Sequence, residues 1–157
     1  MFETLMNLVQ QNAGQSVINN PAIPNDQNDT VMQTVTGSIM NGLGQQAQGG
    51  GLGSLLGMVT GQSQGGGNFD SHPTTQGVQK HVEQDLMSKL GISPQVAMSV
   101  AAVLVPIVLK KLMNKAADPN DSSVDAGSLL NGLGGGGQTG GLGGGLGGML
   151  GGLFGNR

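Results

Sequence analysis

The chain contains no cysteine, tryptophan or tyrosine, only 3 phenylalanines, and no lysine or arginine before Lys80. Without cysteine there are no disulfides, thiolate zinc sites or cysteine nucleophiles, and the redox compartment stays open. The scarcity of aromatics removes the stacking platforms of single-strand binders, and a net charge of -3 supplies no field for phosphate backbones. Nucleic acid is therefore not an expected partner. Met1 to Gln10 carry Glu3 and no base, so the basic n-region of a secretory signal is missing and the N-terminus reads as mature. The longest nearly apolar run, Val96 to Leu109, is about 14 residues against the roughly 20 of a spanning helix. It reads as a buried core helix, which favours a cytoplasmic location and leaves membrane contact as a secondary expectation.

What the chain has in excess is glycine, 31 of 157 residues, against a usual share of roughly 7%. Between the glycines the apolar residues keep helical spacing. Phe2, Leu5, Met6 and Val9 predict an amphipathic helix from residue 2 to about 18, weakened at Gly14. Asn19 to Asp26, with Pro21 and Pro24, forms a connector of fixed geometry. A second helix extends from about Asn25 to Leu43, carried by Val31, Val35, Ile39 and Leu43, with Asn25 or Asp26 as cap and Gly44 at its C-terminal end.

That signal returns downstream. Val78, Val82, Leu86, Met87, Leu90 and Gly91 match Val31, Val35, Ile39, Met40, Leu43 and Gly44 at a constant offset of 78 − 31 = 47. Six matches in register fit two related helical units, and equally the shared look of any two amphipathic helices that end in glycine; either reading requires a helical core. His72-Pro73-Thr74 starts the later helix, which runs to about Leu90; Gly91-Ile92 turns the chain, and Ser93 with Pro94 opens another helix as N-cap and first helical residue. This last helix, about 94 to 115, is apolar most of the way round, contains Pro106 and is the expected central helix. Lys110, Lys111 and Lys115 near its end complement the helix dipole and meet its free carbonyls.

The division into units tracks composition: a helical pair at 1–44, a Gly/Gln-rich linker at 45–72 whose short apolar segment reads as a weak helix or an ordered loop, a helical hairpin at 73–117, and a Gly/Leu-rich tail at 118–157. In the tail, Gly140, Gly144, Gly148 and Gly152 form one ladder and Gly143, Gly147, Gly151 and Gly155 another, while Leu142, Leu146, Leu150 and Phe154 form an apolar row. Coiled as a helix, this segment would set Met149 and Leu153 beside that row and leave glycine surfaces open to another backbone. Each helical glycine costs roughly 0.8 to 1 kcal/mol against alanine, so about ten of them oppose an isolated helix by close to 10 kcal/mol. Alone in water the tail is expected to be a disordered tether, with docking or self-association as its second role. Gly49, Gly53, Gly57 and Gly61 repeat the spacing around Leu52, Leu55 and Leu56. Leu142, Leu146, Leu150, Phe154, Leu52, Leu55 and Leu56 are thus the interaction candidates.

Catalytic signals are thin. Gly61-Gln62-Ser63-Gln64-Gly65 fits the nucleophile-elbow pattern but sits in a Gln/Gly stretch without a preceding strand. Gly132 to Gly137 fits a dinucleotide-binding pattern inside low-complexity sequence, and no glycine directly precedes a lysine as a phosphate loop requires. His81 and Asp85 at i, i+4 share a helical face and amount to half a metal site, which reads more simply as a side-chain pair; His72, Asp70 and Glu83 lie near in sequence. No catalytic, cofactor or metal site is assigned.

Several segments carry a family likeness: Asn19-Asn20-Pro21-Ala22-Ile23-Pro24-Asn25-Asp26-Gln27-Asn28-Asp29, Ile39-Met40-Asn41-Gly42-Leu43, Leu90-Gly91-Ile92-Ser93-Pro94, Leu104-Val105-Pro106-Ile107-Val108 and Asp118-Pro119-Asn120-Asp121. Over roughly residues 1 to 130 the chain resembles the bacterial family catalogued as domain of unknown function 937. The resemblance implies a small, mostly helical bacterial protein and brings no activity, substrate or catalytic residue with it.

The sequence therefore predicts an all-α fold, a small helical bundle with a glycine-rich flexible linker and C-terminal tail. Its function reads as a non-catalytic scaffold or protein-interaction module, with a homo-oligomer or another protein as partner and no cofactor. The second reading is a peripheral membrane or envelope-associated protein that uses the 96–109 run or the tail.

Overall fold

A computed structural model describes residues 2–61, 68–125, 127 and 129. Among these, five α-helices and three short helical turns form an all-α bundle without strands: α1 (Phe2–Asn12), α2 (Asn28–Gln48), α3 (Gly51–Thr60), α4 (Pro73–Leu90) and α5 (Pro94–Ala117). α2 packs chiefly on α4, α4 on α5, and α1 and α3 both on α5. A single cluster of buried side chains runs from Leu5 to Leu129 and draws on every helix.

α1 is shorter than its apolar spacing predicts. It ends at Asn12, and Gly14–Ile18 form a wider π-type turn in which the amide of Ile18 donates to the carbonyl of Ala13 at 3.1 Å. Gly14 favours no helix, and the extra residue in the turn leaves both Ala13 and Val17 buried. α2 starts three residues later than expected, after a 3₁₀ turn at Asn25–Gln27, so neither Asn25 nor Asp26 caps it.

At its far end α2 passes through Gly44, where the spacing predicts a stop, and continues to Gln48. The equivalent Gly91 does end α4, at φ +65°, with the amides of Gly91 and Ile92 donating to the carbonyls of Met87 and Leu86. The difference lies in the residues downstream of each glycine. Gln45-Gln46-Ala47-Gln48 prolongs a helix, whereas Pro94 forces a new one to begin. His72 caps α4, its Nδ1 accepting from the Thr74 amide at 3.2 Å. Ser93 holds the N-cap position of α5 without a side-chain cap bond, and α5 continues through the buried Pro106.

Of the two expectations for the apolar segment inside the 45–72 linker, a weak helix or an ordered loop, the structure has the helix. The first half of that stretch is the end of α2 and then α3, where Leu52 and Leu55 are 1% and 0% exposed. Glycine lowers helix propensity in isolation, but here the leucines are buried against a bundle that holds the helix in place. The boundary at 117 also moves: Val124 and Leu129 belong to the buried core, beyond the turn at Asp118–Asp121.

The duplicated pattern has a structural counterpart. α2 and α4 are antiparallel, since Gln46 lies against Gly77, Gly42 against Val78, and Ser38 against Asp85. Ser38 and Asp85 are themselves separated by 47, so the two copies meet at the same position of each, about an approximate local two-fold axis. The offset also reaches α1 and α3: Leu5 and Leu8 align with Leu52 and Leu55, and all four are buried. The two copies of the pattern thus face each other as α2 and α4, with α1 packed on α2 and α5, α3 on α5 and α2, and α5 across α1, α3 and α4.

Candidate functional site

Three places in the described residues gather polar or exposed groups. The first is the α2–α4 contact. The Ser38 hydroxyl donates to Asp85 Oδ2 at 2.5 Å, Lys89 Nζ pairs with the same oxygen at 3.1 Å, and His81 Nε2 stands 3.8 Å away. Burial pushes the Asp85 carboxyl up, but the Ser38 hydroxyl, the Lys89 ammonium and His81 together outweigh it and hold the group below its ordinary value. The His81–Asp85 pair read from the sequence therefore exists, as part of a partly buried staple between helices. Serine here bonds the carboxylate rather than the histidine, the opposite of what a histidine base requires to activate a hydroxyl. No group of three or more potential metal ligands converges among the described residues.

The second place is the connector. An open depression of about 310 Å³ is lined by Ile18, Asn19, Asn20, Pro21, Ile23, Pro24 and Asn25. Asn20 serves the fold itself, donating to the Ser16 carbonyl at 3.1 Å and accepting from the Ala22 amide at 3.0 Å. Near it, at the first residue of α2, Asn28 Oδ1 is buried without a hydrogen-bond partner; so is Thr75 Oγ1 in the first turn of α4, again 47 positions on.

The third is the outer surface of α5. Met98, Val103 and Ile107 are 57%, 46% and 37% exposed, and Ala102 is exposed beside them. Met98–Ala102 and Val103–Ile107 are i, i+4 pairs that form the two edges of an exposed, largely apolar stripe along α5, with Ser99 between the pairs, Gln95 at one end and Lys110 at the other. No charged residue interrupts it. The opposite surface of the helix is core: Ala97, Val100, Ala101, Leu104 and Val108 are fully buried. α5 is long and apolar enough to cross a membrane, although 56% of its apolar window is buried inside the bundle.

Two of the three lysines at the end of α5 make side-chain bonds within the fold. Lys111 Nζ donates to Asn12 Oδ1 at 2.9 Å and ties α5 to α1, while Lys115 Nζ pairs with Asp121 at 2.8 Å. Lys115 and then Ser123, whose hydroxyl and amide both donate to the carboxylate, hold the Asp121 carboxyl down at about 2.

Of the interaction candidates, Leu52 and Leu55 are core residues and present nothing to a partner; Leu56 is half-buried against the core. Leu142, Leu146, Leu150 and Phe154 lie outside the described residues, as do Ser63 of the elbow pattern and the Gly132 to Gly137 run. The α5 stripe is not among the residues that sequence patterning singles out, because an all-round apolar helix gives no signal for which face stays outside. No family model, curated protein or solved structure matches the chain.

Proposed function

We propose that the protein is a non-catalytic helical interaction module that self-associates through the stripe Met98, Ala102, Val103 and Ile107 of α5. The supporting observation is that Met98, Val103 and Ile107 are large apolar side chains exposed on the solvent-facing surface of one helix, where water is an unfavourable neighbour and a protein surface is a favourable one. The polar groups of the α2–α4 contact are spent on holding helices together, which also supports a scaffold over an enzyme. The likeness to the family of unknown function adds no activity to this reading.

The test is the mass of the full-length protein by light scattering from micromolar to millimolar concentration, read by refractive index because tryptophan and tyrosine are missing. The wild type is expected to rise above 15.7 kDa with concentration, and a Val103→Glu/Ile107→Glu variant to stay at the monomer mass. Identical masses for the two proteins overturn the reading.

A second reading has one observation in its favour, the length and apolarity of α5. In it the stripe enters a lipid surface, with Lys110 and Lys111 at the headgroups. Just over half of the apolar window of α5 is packed inside the bundle, which supports a core helix instead. Flotation with anionic liposomes separates the two.

A further inference from the structure

In a chain with no cysteine, tryptophan or tyrosine, mild peroxide oxidation falls on the 9 methionines. Met32 and Met113 are buried, and Met6, Met40, Met58 and Met87 are half-buried. The Met6 sulfur also accepts a hydrogen bond from the Thr36 hydroxyl at 3.3 Å. Met98, 57% exposed, is the most open thioether among the described residues, and it stands on the α5 stripe.

We propose that Met98 is a redox modification site that regulates the stripe: its oxidation to the sulfoxide releases the self-associated form, and its reduction restores it. The inference rests on the self-association reading and names the regulation of that same surface.

In the forward step hydrogen peroxide transfers one oxygen to the Met98 sulfur, which goes from sulfide to sulfoxide while the peroxide is reduced to water. In the reverse step a methionine sulfoxide reductase takes two electrons and two protons from a dithiol, which becomes a disulfide, and the oxygen leaves as water. The thioether is apolar and flexible and moulds itself to a facing surface, whereas the sulfoxide carries a polar oxygen that needs a donor.

The stripe offers few donors. Ala102, Val103 and Ile107 have none in their side chains, and the Ser99 hydroxyl already donates to the Gln95 carbonyl at 2.9 Å. Side-chain donors remain at the two ends, on Gln95 and Lys110. Covering the sulfoxide oxygen without a bond weakens the contact by about tenfold. The bundle does not share the change, because Ala97, Val100 and Ala101 beside Met98 are fully buried and hold the helix in place. Association covers Met98, so oxidation draws on the monomer and retains it by mass action.

The test treats full-length protein with dilute hydrogen peroxide at several protein concentrations. Trypsin then isolates Met98 in the peptide Leu90–Lys110 and Met87 in His81–Lys89, each the sole methionine of its peptide. Mass spectrometry is expected to show Met98 gaining one oxygen several-fold faster than Met87, and more slowly as protein concentration rises. Light scattering is expected to show the oxidised protein returning toward 15.7 kDa, with the dissociation constant raised about tenfold, and a sulfoxide reductase with dithiothreitol restoring the mass. Met98→Leu keeps an apolar side chain without the sulfur and is expected to associate like wild type and to hold its mass through the treatment. Met98→Gln, polar without any oxidant, is expected to associate weakly from the start. Circular dichroism checks that each protein keeps its helices.

Equal masses of wild type before and after complete oxidation at Met98 overturn the inference and leave self-association standing. An equal loss of mass in peroxide-treated Met98→Leu also overturns it, since the effect then belongs to another methionine. A wild type that is monomeric before any oxidation removes the self-association reading itself, and the inference with it.

Discussion

Ser38 and Asp85 are hydrogen-bonded across the α2–α4 contact at 2.5 Å and occupy the same position of two copies of one helical pattern. Equivalent residues of antiparallel helices meet only near a local two-fold axis, so this one bond marks where the two copies of the pattern, α2 and α4, face each other. The residues differ in the two copies, a hydroxyl in one and a carboxylate in the other. That asymmetry makes a donor and an acceptor out of what would otherwise be a like pair.

The bond sets an acid dependence. The folded-state value of Asp85 is below its ordinary 3.8, so its stabilisation is complete above that value and is lost as pH falls through the lower folded-state value. Ser38→Ala is expected to cost about 2 kcal/mol at neutral pH, since hydrogen bonds to charged groups contribute about 1.5 to 3 kcal/mol. As pH falls through that folded-state value the difference from wild type should shrink. Asp121, held down at about 2, titrates in both proteins and cancels. Denaturant unfolding of both at neutral and acid pH checks this; an equal deficit at every pH contradicts it.

Leu55→Ala separates a core helix from a tethering linker. Leu55 is fully buried on α3, and truncating a buried leucine costs about 2 to 5 kcal/mol. Chemical denaturation is expected to show a loss in that range. A change within ~0.5 kcal/mol, the usual size for a surface site, would mean that α3 is not seated in the core.

Two glycines of α2 should respond in opposite directions. A Cβ at Gly37 meets nothing within 4 Å, and Gly37→Ala is expected to stabilise by about 0.5 to 1 kcal/mol through helix propensity. A Cβ at Gly42 already lies 3.3 Å from the Cα of Val78, so Gly42→Leu overpacks the α2–α4 contact and is expected to cost about 1 to 3 kcal/mol. Thermal melts of the two variants against wild type read both signs.

Much of this arrangement is legible in the sequence. The spacing of Val78, Val82 and Leu86 marks α4, and the helix-forming positions around Ser93-Pro94 mark the start of α5. The six-position match at offset 47 already contains the pairing of α2 with α4. Its extension to Leu5/Leu52 and Leu8/Leu55 is present too, but masked by glycine: Phe2 and Met6 of α1 align with Gly49 and Gly53 at the same offset. Propensity argues against α3, and only tertiary burial of Leu52 and Leu55 overrides it.

The candidate site is less legible for a related reason. A helix apolar on nearly every side declares that it is central without declaring which residues the bundle fails to cover, and Met98 and Val103 look in sequence like Val100 and Leu104. The i, i+4 pair of His81 and Asp85 is visible, but its purpose depends on Ser38, 47 residues away. Asn28 and Thr75 are alike in this respect, since nothing in either residue type announces a buried oxygen without a partner.

The central claim is that the α5 stripe is where this protein meets its partner. The most direct measurement tracks side-chain methyl resonances of the full-length protein by NMR as its concentration is raised. Shifts concentrated at Met98, Ala102, Val103 and Ile107, with Val35 and Val82 in the bundle core unchanged, are the expected result. Shifts confined to other surfaces, or none at any concentration, would contradict the account.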